Sequence, residues 1–142
     1  MFKWHHEYSY EVNATLSLIL NFMNDFNNWP KWTDQFESYR IEKIEGDTTA
    51  LLAKVKNKKS YVSILFTEIE PQKKYQIFFK VPFFSQTSTL HYQIISPEKT
   101  KITVNTCVSS FLTPFFKSIF LKNVETQYPK MQKAIINFIS NH

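Results

Sequence analysis

A histidine and two tyrosines near the N-terminus carry the residue types that acid–base chemistry requires. Residues 2–12 alternate in polarity, which predicts a half-buried strand with His6, Tyr8 and Tyr10 on its apolar face. A histidine titrates near neutrality, so His6 with Tyr10 could transfer a proton at a carbon activated by a carbonyl group, as in an aldol cyclisation. His6 and Tyr10 are therefore the candidate catalytic residues. The alternative is a hydrogen-bonded, inert histidine near the exposed end of the strand, and we favour a binding protein over an enzyme.

Metal and thiol chemistry are not indicated by the sequence. His5 and His6 are neighbours on the predicted strand, so their side chains point to opposite faces and cannot share one ion without a bulge. Cys107 is the single cysteine, which excludes an intrachain disulfide, and no base or helix N-terminus that would activate it is evident. We therefore expect no metal and no cofactor.

Short alternating segments separated by turn residues dominate the rest of the chain. Gly46, the sole glycine, stands in a Glu-Gly-Asp turn, where a positive φ is favourable. Connections this short join antiparallel neighbours, so the segments predict an antiparallel meander. The predicted strands are 2–12, 38–45, 48–56, 61–70, 74–81, 87–95 and 101–109.

Three helices are predicted around these strands. Asn13 is a suitable N-cap for a helix over 15–23, and a second short helix over 30–36 would carry Pro30 in its first turn. From Phe116 to Phe138, apolar residues recur every three or four positions, which predicts a long amphipathic helix. Pro129 lies inside this helix and predicts a bend one turn before it. The element order is therefore strand, two helices, six strands and a long helix.

Three segments resemble a known superfamily in their order and spacing. They are Val12–Thr15 followed by the D…W-x-x-W passage of Asn24–Trp32, the Glu68–Pro71 bend, and the Ser96–Thr103 entry to the last strand. Together they resemble the START-related superfamily of polyketide cyclases and lipid-transfer domains (SRPBCC). That superfamily often has glycine in the last segment, where this chain has Lys99. The departure leaves the subfamily, and with it the substrate, open.

The resemblance implies an α+β helix-grip fold formed by residues 1–142 as one domain. A curved antiparallel sheet of about seven strands would wrap around the long C-terminal helix, with two short helices between strands 1 and 2. The apolar cavity between sheet and helix would bind a hydrophobic small molecule such as a lipid, a polyketide or an aromatic compound. The alternatives are a cyclase or dehydratase-like enzyme and a protein-interaction module using the apolar segment 111–121. The candidate ligand-binding residues are Tyr8, Tyr10, Phe66, Phe79, Tyr92, Thr106, Phe116, Phe120 and Val124.

Composition narrows the possible partners. The chain has 14 Phe, 7 Tyr and 3 Trp, which form either a dense aromatic core or the wall of a cavity. Its net charge is +5, but Arg40 is the only arginine, which argues against sequence-specific nucleic-acid binding. No apolar run reaches the ~18 residues of a membrane span, and no signal peptide is evident. We therefore expect a cytoplasmic protein that is a monomer or a weak dimer.

Overall fold

The computed structural model describes residues 2–111 and 117–141, with side chains described for 3–111 and 125–141. The described elements follow the predicted order. They are β1 (Phe2–Val12), α1 (Leu16–Met23), a 3₁₀ helix (Phe26–Lys31), β2 (Phe36–Glu45), β3 (Thr48–Val55), β4 (Tyr61–Glu70), β5 (Lys74–Val81), β6 (Phe84–Ser96), β7 (Lys99–Ser110) and α2 (Lys117–Ser140).

The seven strands form one antiparallel sheet in the order β1-β7-β6-β5-β4-β3-β2. From β2 to β7 each strand pairs with the next along the chain, because tight turns such as that at Gly46 (φ 57°) return it antiparallel. β1 completes the sheet by pairing with β7, so that Phe2 lies opposite Ser110 and Val12 opposite Thr100.

The register places the predicted inward residues on one concave face. One row across the sheet consists of His6, Thr106, Ser88, Ile77 and Phe66. The adjacent inward row contains Trp4, Val108, Gln86, Phe79, Ile64 and Leu51. Alternate residues on β1, such as His5 and Glu7, are exposed on the other face. The period-two pattern of the sequence therefore corresponds to the two faces of the sheet.

Helix α2 lies on this concave face through its apolar stripe. Tyr128, Met131 and Ile135 are buried, with exposed fractions of 1% or less. The hydroxyl of Tyr8 donates to Oε1 of Gln132 at 3.1 Å, which links β1 to α2. The helix continues through Pro129. No helix in the described ranges is long and apolar enough to cross a membrane.

The boundaries of two helices differ from the predictions. The N-cap of α1 is Thr15, not Asn13, because its hydroxyl accepts a hydrogen bond from the backbone N–H of Leu18. The second short helix spans Phe26–Lys31 rather than residues 30–36, because the carboxylate of Asp25 caps it by accepting from the N–H of Asn27. Pro30 lies inside this helix rather than in its first turn.

Candidate ligand-binding site

A small cavity lies between the concave face, the 3₁₀ helix and α2. Its volume is about 30 Å³, enough for about one water molecule. An ordinary ligand site occupies roughly 300–1,000 Å³, so a ligand would require the walls to move apart. Its apolar wall consists of Trp29, Phe36, Ile64, Ile77, Phe79, Leu90, Val104 and Met131, and its polar side chains are Trp32, Thr33, Gln35, Tyr39, Gln86, Ser88, Gln127 and Tyr128.

Three buried hydroxyl groups form a hydrogen-bonded cluster beside the cavity. The Tyr128 hydroxyl lies 3.0 Å from Oγ of Ser88, and Ser88 lies 3.3 Å from Oγ1 of Thr106. Thr106 and Tyr128 are also hydrogen-bonded. Burial raises the pKa of Tyr128, and the hydrogen bonds from Ser88 and Thr106 offset part of that rise. Tyr128 is therefore a neutral phenol that ties α2 to β6 and β7.

Two tryptophans of the D…W-x-x-W passage differ in their hydrogen bonding. Nε1 of Trp29 donates to the backbone carbonyl of Met23 at 2.7 Å. Trp32 lines the cavity, and its Nε1 is buried with no hydrogen-bond partner among the described residues. A buried donor without a partner costs about 1–3 kcal/mol. A ligand or water oxygen in the cavity would recover that cost by accepting from Trp32.

Two other polar residues of the wall, Thr33 and Tyr39, have hydrogen-bond partners within the protein. The hydroxyl of Thr33 donates to the carbonyl of Trp29 at 2.9 Å and lies 2.7 Å from the hydroxyl of Tyr39. Burial raises the pKa of Tyr39 far above its ordinary value, despite the opposing effect of the bond to Thr33. Tyr39 is therefore neutral and serves as a donor, whereas the buried N–H of Trp32 has no partner among the described residues.

Six of the predicted ligand-binding residues have described side chains and lie on the concave face, and among these six only Phe79 lines the cavity. Phe66 packs against Trp29 with ring centroids 5.5 Å apart, and Tyr10 and Tyr92 belong to the buried core. Thr106 contacts the cavity wall through its hydrogen bonds to Ser88 and Tyr128, whereas Tyr8 donates to Gln132 outside that wall. Phe116 and the side chains of Phe120 and Val124 lie outside the described residues, as does most of the segment 111–121.

The candidate catalytic residues lie beside the cavity rather than in its wall. The His6 ring stacks on Trp4 and on Tyr128, with centroid distances of 5.5 and 6.5 Å. Its Nε2 and the hydroxyl of Tyr10 are buried without a hydrogen-bond partner in the described part of the chain. Burial raises the pKa of Tyr10 well above its ordinary value, and the neighbouring Tyr92 and Tyr8 add to the rise. Tyr10 is therefore a neutral phenol that lies outside the cavity wall.

Cys107 has a neighbour that the sequence did not reveal. Its Sγ lies 2.9 Å from Nδ1 of His5, because the register pairs these two residues on the exposed face of β1 and β7. The prediction that Cys107 has no adjacent base is therefore wrong. The described residues contain no group of three or more metal-ligating side chains around this pair.

Sequence reasoning missed Trp32, Ser88 and Tyr128 as residues of the site. Tyr128 falls within the apolar periodicity of residues 116–138, and Trp32 within the D…W-x-x-W passage, and neither pattern indicates a binding role. The signal that could have identified Trp32 is the presence of two indole N–H groups in one buried helical turn, because such a turn rarely offers acceptors for both. Ser88 carries no such signal, since its role depends on the long-range register.

Comparison with solved structures identifies the class of fold. The chain has the helix-grip fold of START-related proteins, so the predicted fold class and the predicted resemblance in fold are confirmed. No protein-family profile matches the sequence, and no curated protein matches it by sequence.

Three solved structures illustrate the similarity. The Zhui aromatase/cyclase from Streptomyces sp. R1128 superposes with a TM-score of 0.77 at 10% identity, covering 96% of this chain and 93% of its own. A START superfamily protein from Mycobacterium smegmatis gives 0.71 at 16% identity, covering 94% and 97%. Norcoclaurine synthase from Thalictrum flavum, in complex with dopamine and hydroxybenzaldehyde, gives 0.71 at 15% identity, covering 99% and 88%. Identities this low show the shared fold.

Proposed function

We propose that this protein binds a hydrophobic small molecule carrying at least one hydrogen-bond acceptor, in the space between the sheet and α2. The observation that carries the proposal is the unpartnered Nε1 of Trp32 in the wall of a largely apolar cavity. Structural neighbours support it, because one is an aromatase/cyclase and another holds dopamine and hydroxybenzaldehyde. The acceptor on the ligand would be a carbonyl or hydroxyl oxygen bonded to Trp32.

Ligand entry requires the cavity to expand, so polar contacts that hold α2 on the sheet must break. These contacts are individually weak. The Lys130–Asp34 ion pair (2.6 Å) joins two side chains that are at least half exposed, so it contributes little to holding the helix. The Tyr8–Gln132 bond and the Tyr128 cluster each involve neutral groups worth about 1 kcal/mol per bond. Burial of roughly 300 Å² of apolar ligand surface offers about 7 kcal/mol, which exceeds the cost of breaking these bonds.

A titration with a flat apolar ketone, 2-acetylnaphthalene, tests the proposal. Its fluorescence depends on polarity, and we expect saturable binding with a dissociation constant in the micromolar range. Ile77→Phe fills the cavity and should weaken binding by at least about tenfold. Val62→Phe is the matched control, because Val62 packs on the same core but does not line the cavity. Absence of saturable binding, or equal effects of both variants, would refute the proposal.

A second candidate is a cyclase-like enzyme, and the unpartnered Nε2 of His6 favours it. The ring stacks on Tyr128, whose hydroxyl reaches the cavity, so an expanded cavity would approach His6. If this candidate holds, His6→Ala should abolish turnover of a confirmed substrate while leaving its binding intact. Unchanged turnover in His6→Ala and in Tyr10→Phe would exclude this assignment.

A further inference from the structure

Two phenylalanines are exposed together at one end of the sheet, where β1 begins and β7 ends. Phe83 and Phe111 have exposed fractions of 65% and 67%. The backbone N–H of Phe111 donates to the carbonyl of Phe83 at 2.9 Å, so the two residues are held side by side. Tyr61, 53% exposed, begins β4 at the same end. We call this end of the sheet, with Phe83 and Phe111, the aromatic end.

The backbone at Phe83 is in a conformation that bulky residues rarely adopt. Val81 pairs with Phe84, so Pro82 and Phe83 form a two-residue hairpin turn, and the φ of Phe83 is 69°. Glycine or asparagine is favoured at such a position because a large side chain is strained there. A phenylalanine at this strained and exposed position points to a use for its ring other than in folding.

The aromatic end is also basic. Its strands and turns carry six lysines and one acidic residue, Glu37, and the adjacent Asp34 is paired with Lys130 of α2, so the excess is five positive charges. Of these lysines, Lys54 forms an ion pair with Glu37, and the other five are exposed and make no salt bridge within the described ranges. The six are Lys3, Lys54, Lys56, Lys58, Lys59 and Lys80.

We propose that the aromatic end docks on an anionic lipid bilayer. Exposed phenylalanines at the tip of a hairpin insert favourably among lipid headgroups, and surrounding lysines are attracted to acidic lipids. Nucleic acid fits less well, because phosphate and base recognition favour arginine, and the chain has only Arg40. Charge complementarity and the paired aromatic rings together therefore select the membrane surface.

The aromatic end lies where the hydrophobic ligand of the proposed function could enter from the bilayer, and this role rests on that proposed function. Phe79 lines the cavity, and its ring centroid lies 6.0 Å from that of Phe36 and 5.8 Å from that of Phe84. These three rings lie between the cavity and the aromatic end. A hydrophobic ligand could thus pass between bilayer and cavity without crossing water. Docking itself does not require the ligand, so its test is independent of the titration described above.

Sedimentation with lipid vesicles measures the electrostatic part of the proposal. We expect binding to vesicles containing about 30% phosphatidylserine, weak binding to pure phosphatidylcholine, and loss of binding as salt rises from about 0.1 M to about 0.5 M. The triple variant Lys58→Gln, Lys59→Gln, Lys80→Gln should bind at least about tenfold more weakly. The matched control changes Lys73, Lys74 and Lys101 to Gln at the opposite end of the sheet, and should bind like the parent.

Phe83→Gly tests the aromatic part without the risk of unfolding. Glycine relieves the positive φ, so thermal stability should be unchanged or higher, while affinity for the anionic vesicles should fall at least about fivefold. Gln72→Gly is the matched control, because Gln72 has a φ of 63° in the β4–β5 turn at the opposite end. That change should leave vesicle binding unaltered.

Three results would overturn the proposal. The first is an absence of binding to the phosphatidylserine vesicles at about 0.1 M salt. The second is an equal loss of binding in the lysine variant and its control. The third is binding to a single-stranded oligonucleotide that is tighter than binding to the vesicles and is weakened by the same variants, which would assign this end to nucleic acid.

Discussion

Tyr128 on α2 and Ser88 on β6 face each other with their hydroxyl oxygens 3.0 Å apart. Thr106 completes the cluster from β7. The pair joins the helix to the middle of the sheet at the wall of the cavity, so the space available to a ligand depends on whether this contact stays closed.

We expect Tyr128→Phe to loosen this contact. Loss of the hydroxyl should lower the free energy of unfolding by about 1 kcal/mol, because Ser88 and Thr106 still bond to each other. Since the helix is then less firmly tied, affinity for 2-acetylnaphthalene should rise. Thr48→Val is the control, because its bond to Thr67 joins two strands, does not involve α2 and lies outside the cavity wall. Thermal denaturation and probe titration of both variants measure the difference, and equal probe affinity would contradict the prediction.

The two tryptophans should respond differently to the same substitution. Trp29→Phe leaves the carbonyl of Met23 without its donor, whereas Trp32→Phe removes an N–H that has no described partner. Both changes remove a similar volume from the core. We therefore expect Trp29→Phe to be more destabilising by about 1–3 kcal/mol in urea denaturation. A larger loss of stability in Trp32→Phe would show that the N–H of Trp32 already has a hydrogen-bond partner in the ligand-free protein.

Buried tyrosines predict that the protein loses stability in alkaline solution. The pKa of Tyr10 is raised by burial above the ordinary value near 10, so above pH 10 the unfolded chain releases this proton while the folded chain retains it. Stability from this group is complete below pH 10 and falls as pH rises, by about 1.4 kcal/mol per unit. Tyr10→Phe should reduce this slope without lowering stability at pH 7, because its hydroxyl has no described partner. Denaturation at pH 9 and above measures the slope, and an unchanged slope would refute the assignment.

Enlargement of the cavity should create a site for a small aromatic molecule. Phe79→Ala removes a ring from the cavity wall and should cost about 3–5 kcal/mol of stability. Benzene should restore part of this loss, because a ligand that binds only the folded state stabilises it. Tyr61→Ala is the control, since Tyr61 is 53% exposed and loss of its ring opens no enclosed space. Restoration of both variants by benzene, or of neither, would contradict the assignment of Phe79 to this wall.

The sequence predicted the fold well because strand periodicity and turn chemistry are local. Gly46 marks the β2–β3 turn, and the alternation from Trp4 to Val12 gives the inward face of β1 correctly. The start of β6 was predicted three residues late, at Thr87 instead of Phe84. Its hairpin turn uses Phe83 at a positive φ, and no glycine or asparagine signals that turn.

The sequence predicted which side chains face inward on the sheet, but not which of them line the cavity. Inward orientation follows from alternation, but cavity walls depend on how side chains from distant strands fill the space. Ser88 and Tyr128 are 40 residues apart in the sequence, and the two partners of the His5–Cys107 contact are 102 residues apart. Neither relationship leaves a local pattern in the sequence.

The most direct test of the binding proposal is the indole N–H signal of Trp32 in a ¹⁵N–¹H spectrum during titration with 2-acetylnaphthalene. We predict a saturable shift of the Trp32 signal as its N–H gains the ketone oxygen as an acceptor, and a smaller shift of the Trp29 signal because that N–H remains bonded to the carbonyl of Met23. A Trp32 signal that does not move at saturating probe would mean that the space between sheet and helix stays closed, and the binding proposal would then be wrong.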